Sequence, residues 1–256
     1  MKIIDTHCHL DFDVFDEDRM QVVTQARANG LAAFIIPAIK KQTWQALITM
    51  CETLPDAYYA LGLHPVFIGE HQYDDINALK DILETSRPIA IGEIGLDFYD
   101  KSLDIEKQLT LFEQQLQLAC DIDLPVILHV RKAHEEVLAC LKKYPVKGGV
   151  VHAFNASLQQ AERYMVYNFK FGFGGMLTYE RSSKLRKLAR ELPIDSMVLE
   201  TDSPDMTVQA HRGERNSPEY LPDCLASLAQ IRDLPISEIA DQTTQNALKV
   251  FKDLRI

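Results

Sequence analysis

Short apolar runs alternate with longer amphipathic stretches along this chain. The runs are Ile3–Ile4, Ala33–Pro37, Tyr58–Gly62, Ile89–Ile94, Val126–His129, Gly149–His152, Lys170–Gly175 and Met197–Glu200. Each is short and mostly apolar, as expected of parallel strands buried on both faces. Between them lie helical patterns at Asp16–Asn29, Thr43–Thr53, Ile76–Ser86, Leu103–Asp121, His134–Lys143, Leu158–Val166 and Ser182–Leu192. Two more follow at the C-terminus, Tyr220–Arg232 and Ile236–Leu254. Within the stretch from Leu103, the apolar positions Leu109, Phe112, Leu116 and Ala119 recur at helical spacing. Gly30 suits a C-cap for the first helix.

Strand candidates each followed by a helix candidate predict an α/β protein, a single (β/α)8 TIM-like barrel with an extra C-terminal helix. The 256 residues match the usual size of such a barrel, about 250. No Gly/Ser linker or low-complexity tract interrupts the chain, so residues 1–256 read as one domain. An open doubly wound sheet would want a Gly-rich GxGxxG loop after an early strand, and none is present.

Barrel chemistry sits at the C-terminal ends of strands, and the conspicuous polar residues fall there. The first strand leads into Asp5-Thr-His7-Cys-His9. With period two, Asp5, His7 and His9 share a face, and two imidazoles on one face can reach one cation. A lone His-x-His is also common at surface turns. Glu93 lies inside an apolar run, where an unpaired carboxylate is costly. It requires a cation, an arginine or a hydrogen-bond network, and one carboxylate can bridge two metals. The fifth strand ends in His129-Val-Arg131 and the sixth in His152. A single histidine there reads as a core residue; two at equivalent places in adjacent units point toward a site. Glu200 and Asp202 close the eighth strand, suiting a metal ligand and a general base, or an N-cap. Imidazole and carboxylate without thiolate fit catalysis better than a closed structural zinc site.

Composition narrows the field. The net charge of −10 repels a phosphate backbone at long range, which argues against a nucleic-acid coat protein but not a metal-dependent nuclease. Five cysteines without a CxxC pair read as reduced thiols in the cytoplasm. The N-terminus lacks signal-peptide character, and the longest apolar run, Leu31 to Ile39, is too short to span a bilayer. A soluble cytoplasmic enzyme is expected, with no membrane association and no obligate protein partner.

The motifs Asp5-Thr-His-Cys-His-Leu, Gly62-Leu-His64-Pro65, Gly92-Glu-Ile-Gly-Leu-Asp97, His129-Val-Arg131, Val151-His152-Ala-Phe, Glu200-Thr-Asp-Ser-Pro204 and Arg212-Gly-Glu-Arg-Asn216 occur in this order. Together they closely resemble the TatD family of metal-dependent deoxyribonucleases, within the amidohydrolase superfamily, over essentially the whole chain. The resemblance implies two divalent ions (Zn, Mn, Mg, Ni or Fe). It implies that His7, His9 and Asp202 hold one ion, that His129 and His152 hold the other, and that Glu93 is shared. It implies phosphodiester cleavage at DNA 3′ ends by a metal-activated water, with Asp202 and Glu93 catalytic. Two segments depart from the family pattern, Asn155-Ala-Ser157 and Asp205-Met206, both in loops expected near substrate.

His64, Arg131, Glu200 and Arg212 are candidates for substrate binding, each with a bland alternative in loop stability or solvation. Glu200 also suits a residue that supports the ligands. Arg215 joins Arg212 in the loop after the eighth strand. Lys170, Arg181, Lys184, Arg186, Lys187 and Arg190 form a basic cluster that reads mostly as one solvated helix face. No aromatic-studded basic groove is evident, so extended single-strand binding is not expected. Two other functions fit the same residues: an ester or amide hydrolase, such as an aminoacyl-tRNA deacylase, and a non-catalytic metal-binding barrel.

Overall fold

The computed structural model describes residues 1–256. Eight parallel strands pair in sequence order: β1 Ile3–Asp5, β2 Leu31–Pro37, β3 Ala57–Leu61, β4 Ala90–Asp97, β5 Val126–Arg131, β6 Gly149–Val151, β7 Phe169–Phe173 and β8 Met197–Leu199. The α-helices α1 Arg19–Ala28, α2 Trp44–Thr53, α3 Asp75–Thr85, α4 Ile105–Asp121, α5 His134–Lys143, α6 Leu158–Val166, α7 Ser183–Glu191 and α8 Leu221–Arg232 follow the strands, and α9 Ile236–Val250 is additional. The expected barrel and its extra helix are both present. No helix is long and apolar enough to cross a membrane.

Strand alternation separates two apolar layers. Ile4, Ala33, Ile35, Ala60, Ala90, Ile127, Val150 and Val198 point into the barrel and pack together. Their neighbours Ile3, Phe34, Ile36, Leu61, Ile91, Leu128, Val151 and Leu199 point outward and join the core beneath the helices. Both faces are dry, so both positions of the two-residue period are apolar.

The barrel has a closed floor. Ala247 of α9, with Phe251 and Leu254 beyond it, packs into the interior cluster. Thr244 Oγ1 donates to Lys2 O at 2.9 Å, and Asn246 Nδ2 donates to Ile194 O at 2.8 Å and Met197 O at 2.7 Å. These acceptors lie at the starts of β1 and β8, which seats α9 under the N-terminal mouth. The periodic stretch reads helical to Leu254, but the helix ends at Val250 and the remaining residues turn into the floor.

Closure between β8 and β1 uses residues beyond the strands. Thr6 N–H donates to Leu199 O at 3.0 Å, and Asp202 N–H donates to His7 O at 2.9 Å. The segments carrying the predicted chemistry are therefore the seam of the barrel.

Candidate metal centre

Strand β1 stops at Asp5, and the chain beyond it is pinned on both sides. Cys8 N–H donates to Ile35 O at 3.1 Å and His9 N–H to Ser203 O at 2.7 Å. That path turns both imidazoles inward, with the His7 and His9 Nε2 atoms 3.3 Å apart. Asp5 does not join them, although a strict two-residue period placed it on their face. Its carboxylate accepts from Thr201 Oγ1 at 2.6 Å, Thr201 N at 3.0 Å and His7 N at 3.2 Å. Burial pushes Asp5 up to about 8 despite these bonds. It braces the seam.

Glu93 is the centre of the site. Its Oε2 lies 3.2 Å from His7 Nε2 and 3.7 Å from His9 Nε2. Its Oε1 lies 3.2 Å from His64 Nε2 and 3.2 Å from His129 Nδ1. No arginine pairs with it, which removes the structural ion-pair reading. Burial works against its ionisation, yet the His64, His7 and His129 rings hold it well below the usual carboxylate range. Its inward direction depends on an irregularity. Ala90 points in and Ile91 out, so regular alternation turns residue 93 outward. The pairing of β4 with β5 shifts register between Ile91 and Ile94, and Glu93 faces the interior.

The next two ligand candidates each carry a carboxylate on the far ring nitrogen. His129 Nε2 lies 3.0 Å from Asp97 Oδ2, leaving Nδ1 toward Glu93. His152 Nδ1 lies 3.1 Å from Glu200 Oε1, off the line of an aligned hydrogen bond, and its Nε2 lies 3.7 Å from Asp202 Oδ2. A carboxylate behind a ligating histidine selects the tautomer and raises ligand basicity. Burial lowers His152, but Asp202 and Glu200 outweigh it and push it up to about 10. Asp202 Oδ1 completes the ring of donors, 3.6 Å from His7 Nε2 and 3.8 Å from His9 Nε2.

This donor set fits divalent cations. His7, His9 and Asp202 converge as one trio, His64, Glu93 and His129 as another, and His7, Glu93 and His152 as a third. Imidazole nitrogens 3.3 Å apart, facing carboxylate oxygens from separate strand ends, are what a hard-to-intermediate cation takes as ligands. The nearby Cys8 thiol points away, toward Ile35 O.

A family model described as TatD related DNase matches residues 4–252. The chain belongs to this family. A metal-dependent hydrolase of uncharacterised role from Escherichia coli K12, YjjV, is 38% identical over 98% of both chains. The crystal structure of YjjV superposes with a TM-score of 0.93 over 98% of each chain. A protein of Erwinia tasmaniensis named 3′-5′ ssDNA/RNA exonuclease TatD is 31% identical over 97% of this chain and 99% of its own. The protein is a metal-dependent hydrolase of the TatD family.

The structure places the remaining candidates of this TatD-family chain one by one. Glu200, read either as a substrate contact or as a support for the ligands, takes the second position: it is 1% exposed and accepts from Ala153 N–H at 2.7 Å beside His152. It fits only because residue 172 is glycine; any side chain there would collide with the Glu200 carboxylate. Arg212 is exposed and lines no part of the cavity above the centre. Arg215 forks onto Asp18 at 2.6 and 3.0 Å. Arg131 does lie on the cavity rim, half exposed. His64 points in by Nε2, while its Nδ1 accepts from Val66 N–H at 3.1 Å.

Other contributors have no role legible in the sequence. Asp97, there only the end of the Gly92–Asp97 motif, stands behind His129. Gln108 and Gln115, one heptad apart on the inner face of α4, were two more. Gln108 pairs with both Asp97 N and O, at 2.8 and 3.0 Å. Gln115 does the same for Leu63, at 2.8 and 3.1 Å. Buried glutamine on an otherwise apolar stripe was the available signal, since such a side chain must find partners.

Proposed function

We propose that this centre hydrolyses phosphodiester bonds at the 3′ ends of DNA or RNA strands with two divalent ions. The observation that carries the reading is the division of Glu93. One oxygen faces His7 and His9 and the other faces His129, the arrangement that a carboxylate shared between two cations would take. As the family resemblance implies, His7, His9 and Asp202 would hold one ion and His129 and His152 the other. When bound, the ions supply charge neutralisation on phosphoryl oxygens and bring the pKa of water from about 15.7 to about 7.

The remaining roles belong to the chain. Asp202 is 15% exposed, against 2% for Glu93 and 1% for Glu200, so it is the carboxylate placed to take a proton from water. Because His64 Nδ1 accepts a backbone N–H, its neutral ring carries the proton on Nε2. That makes His64 a donor to Glu93 or to a substrate oxygen, not a ligand. Glu200 and Asp97 orient His152 and His129. The nuclease name of the Erwinia relative supports the substrate class.

The test is cleavage of end-labelled DNA and RNA strands with Mg²⁺, Mn²⁺ or Zn²⁺, beside a panel of acyl esters and aminoacyl-tRNA. Strand shortening from the 3′ end, lost in EDTA and restored by metal, is expected. Asp202→Asn and Glu93→Gln should lower turnover sharply in a folded protein. Wild-type turnover in either variant, or acyl hydrolysis without strand cleavage, overturns the assignment.

A further inference from the structure

A cavity of about 850 Å³ opens from His129, His152 and Asp202 toward the start of α7. Its wall is charged in one sense. Arg131, Lys132, Arg181 and Lys184 line it, and Asp202 at the metal end is its only carboxylate. This segregation stands out in a chain with 37 acidic and 27 basic residues. Low-dielectric walls around one sign of charge focus the field on an anion inside.

The cations are poorly neutralised. Arg131 has one carboxylate, Asp97, at 4.0 Å, and that group already serves His129. Arg181 lies over the Tyr179 ring, 5.3 Å from its centroid. Lys184 donates to Asn155 O at 2.5 Å, a neutral acceptor that holds its stem across the loop after β6. In the sequence, Arg181 and Lys184 read as part of one solvated helix face. The fold divides that cluster: Arg186 donates to Leu177 O, Lys187 pairs with Glu191, and only Arg181 and Lys184 turn to the cavity.

A flat platform stands at the same rim. Arg131 covers one side of the Tyr99 ring, 3.7 Å from its centroid, and Tyr99 remains 58% exposed. Stacked aromatic and guanidinium planes accept an unpaired base of any identity. The basic, aromatic-edged groove that the sequence did not reveal is thus assembled from the ends of β4 and β5, the loops just beyond them, and the start of α7 with the residues before it.

Resting on the phosphodiesterase reading above, we propose that this lobe grips the strand beyond the scissile bond. Arg131, Lys132, Arg181 and Lys184 contact successive phosphates of a single-stranded nucleic acid, and Tyr99 stacks on one of its bases. The lobe then sets how many phosphates of the strand the protein reads beyond the metal centre, so affinity grows with their number.

Binding of fluorescein-tagged phosphorothioate oligothymidylates with one to six phosphates to the metal-loaded protein tests this. Affinity should rise with length and then level off, and a blunt duplex should compete poorly. Arg181→Glu and Lys184→Glu should each weaken the longest strand and lower the log–log salt slope by roughly 0.7. Lys187→Glu, the same charge change on the same helix but outside the cavity, should alter neither. Affinity independent of length, equal competition by duplex, or an equal effect of Lys187→Glu overturns the lobe. Cleavage of unmodified strands is scored separately. Binding without cleavage sinks the nuclease reading and leaves the lobe standing; cleavage with length-independent affinity does the reverse.

Discussion

Asp97 Oδ2 lies 3.0 Å from His129 Nε2, on the opposite edge of the ring from Glu93. The carboxylate therefore holds Nε2 and leaves Nδ1, on the proposed reading, as the nitrogen that would meet a cation. Asp97→Asn removes the charge that stabilises that tautomer. Divalent-ion affinity should fall roughly 10–100-fold, read by competition with a chelating dye, while the circular dichroism spectrum stays unchanged. Wild-type affinity would show that His129 is oriented by packing alone.

Glu200 occupies the space beside Gly172, so the smallest side chain at 172 should act on the metal centre from behind. Gly172→Ala forces the carboxylate out of its place near His152. Metal affinity and turnover should drop together, as in Glu200→Gln. If Gly172→Ala loses stability in a urea melt yet binds metal normally, the glycine serves packing only.

Gln115 satisfies both backbone groups of Leu63, the residue before His64. Gln115→Leu preserves bulk and orphans a buried N–H and a buried C=O. Each orphaned group costs roughly 1–3 kcal/mol, so the urea midpoint should fall clearly with little change in the slope m. Turnover should fall as well, because the loop that aims His64 loses its anchor. An unchanged midpoint would mean that the loop finds other partners.

Phe251 fills the barrel floor, far from the ligands, and is fully buried. Phe251→Ala should destabilise the fold by about 3–5 kcal/mol. Metal affinity of the folded fraction should remain that of wild type, measured by titration below the melting transition. A large loss of affinity without loss of stability would contradict the separation of floor and rim.

The chain itself determined the barrel. Parallel strands dry on both faces must be continuous apolar runs, and every turn back onto the sheet must be an amphipathic helix. Repetition of that pattern admits few topologies. It also marked a candidate site, because imidazoles and carboxylates at the ends of buried strands are costly without partners. His7, His9, Glu93, His129, His152 and Asp202 stand out on that ground, and the fold brings all six together.

What side chains do once assembled was left to the tertiary structure. Asp5 shares the nominal face of His7 and His9 yet bonds Thr201, because closing the seam ends β1 before the period can continue. Glu93 faces inward through a register shift that alternation cannot reveal. Arg212 sits in a suggestive motif but outside the cavity, whereas Arg181 and Lys184, read as solvated, line it. Periodicity reports which face of its own element a residue occupies. Contact between residues 32 to 196 positions apart depends on how elements dock, and the energies that choose among dockings reside in packing and hydrogen bonds absent from any local pattern.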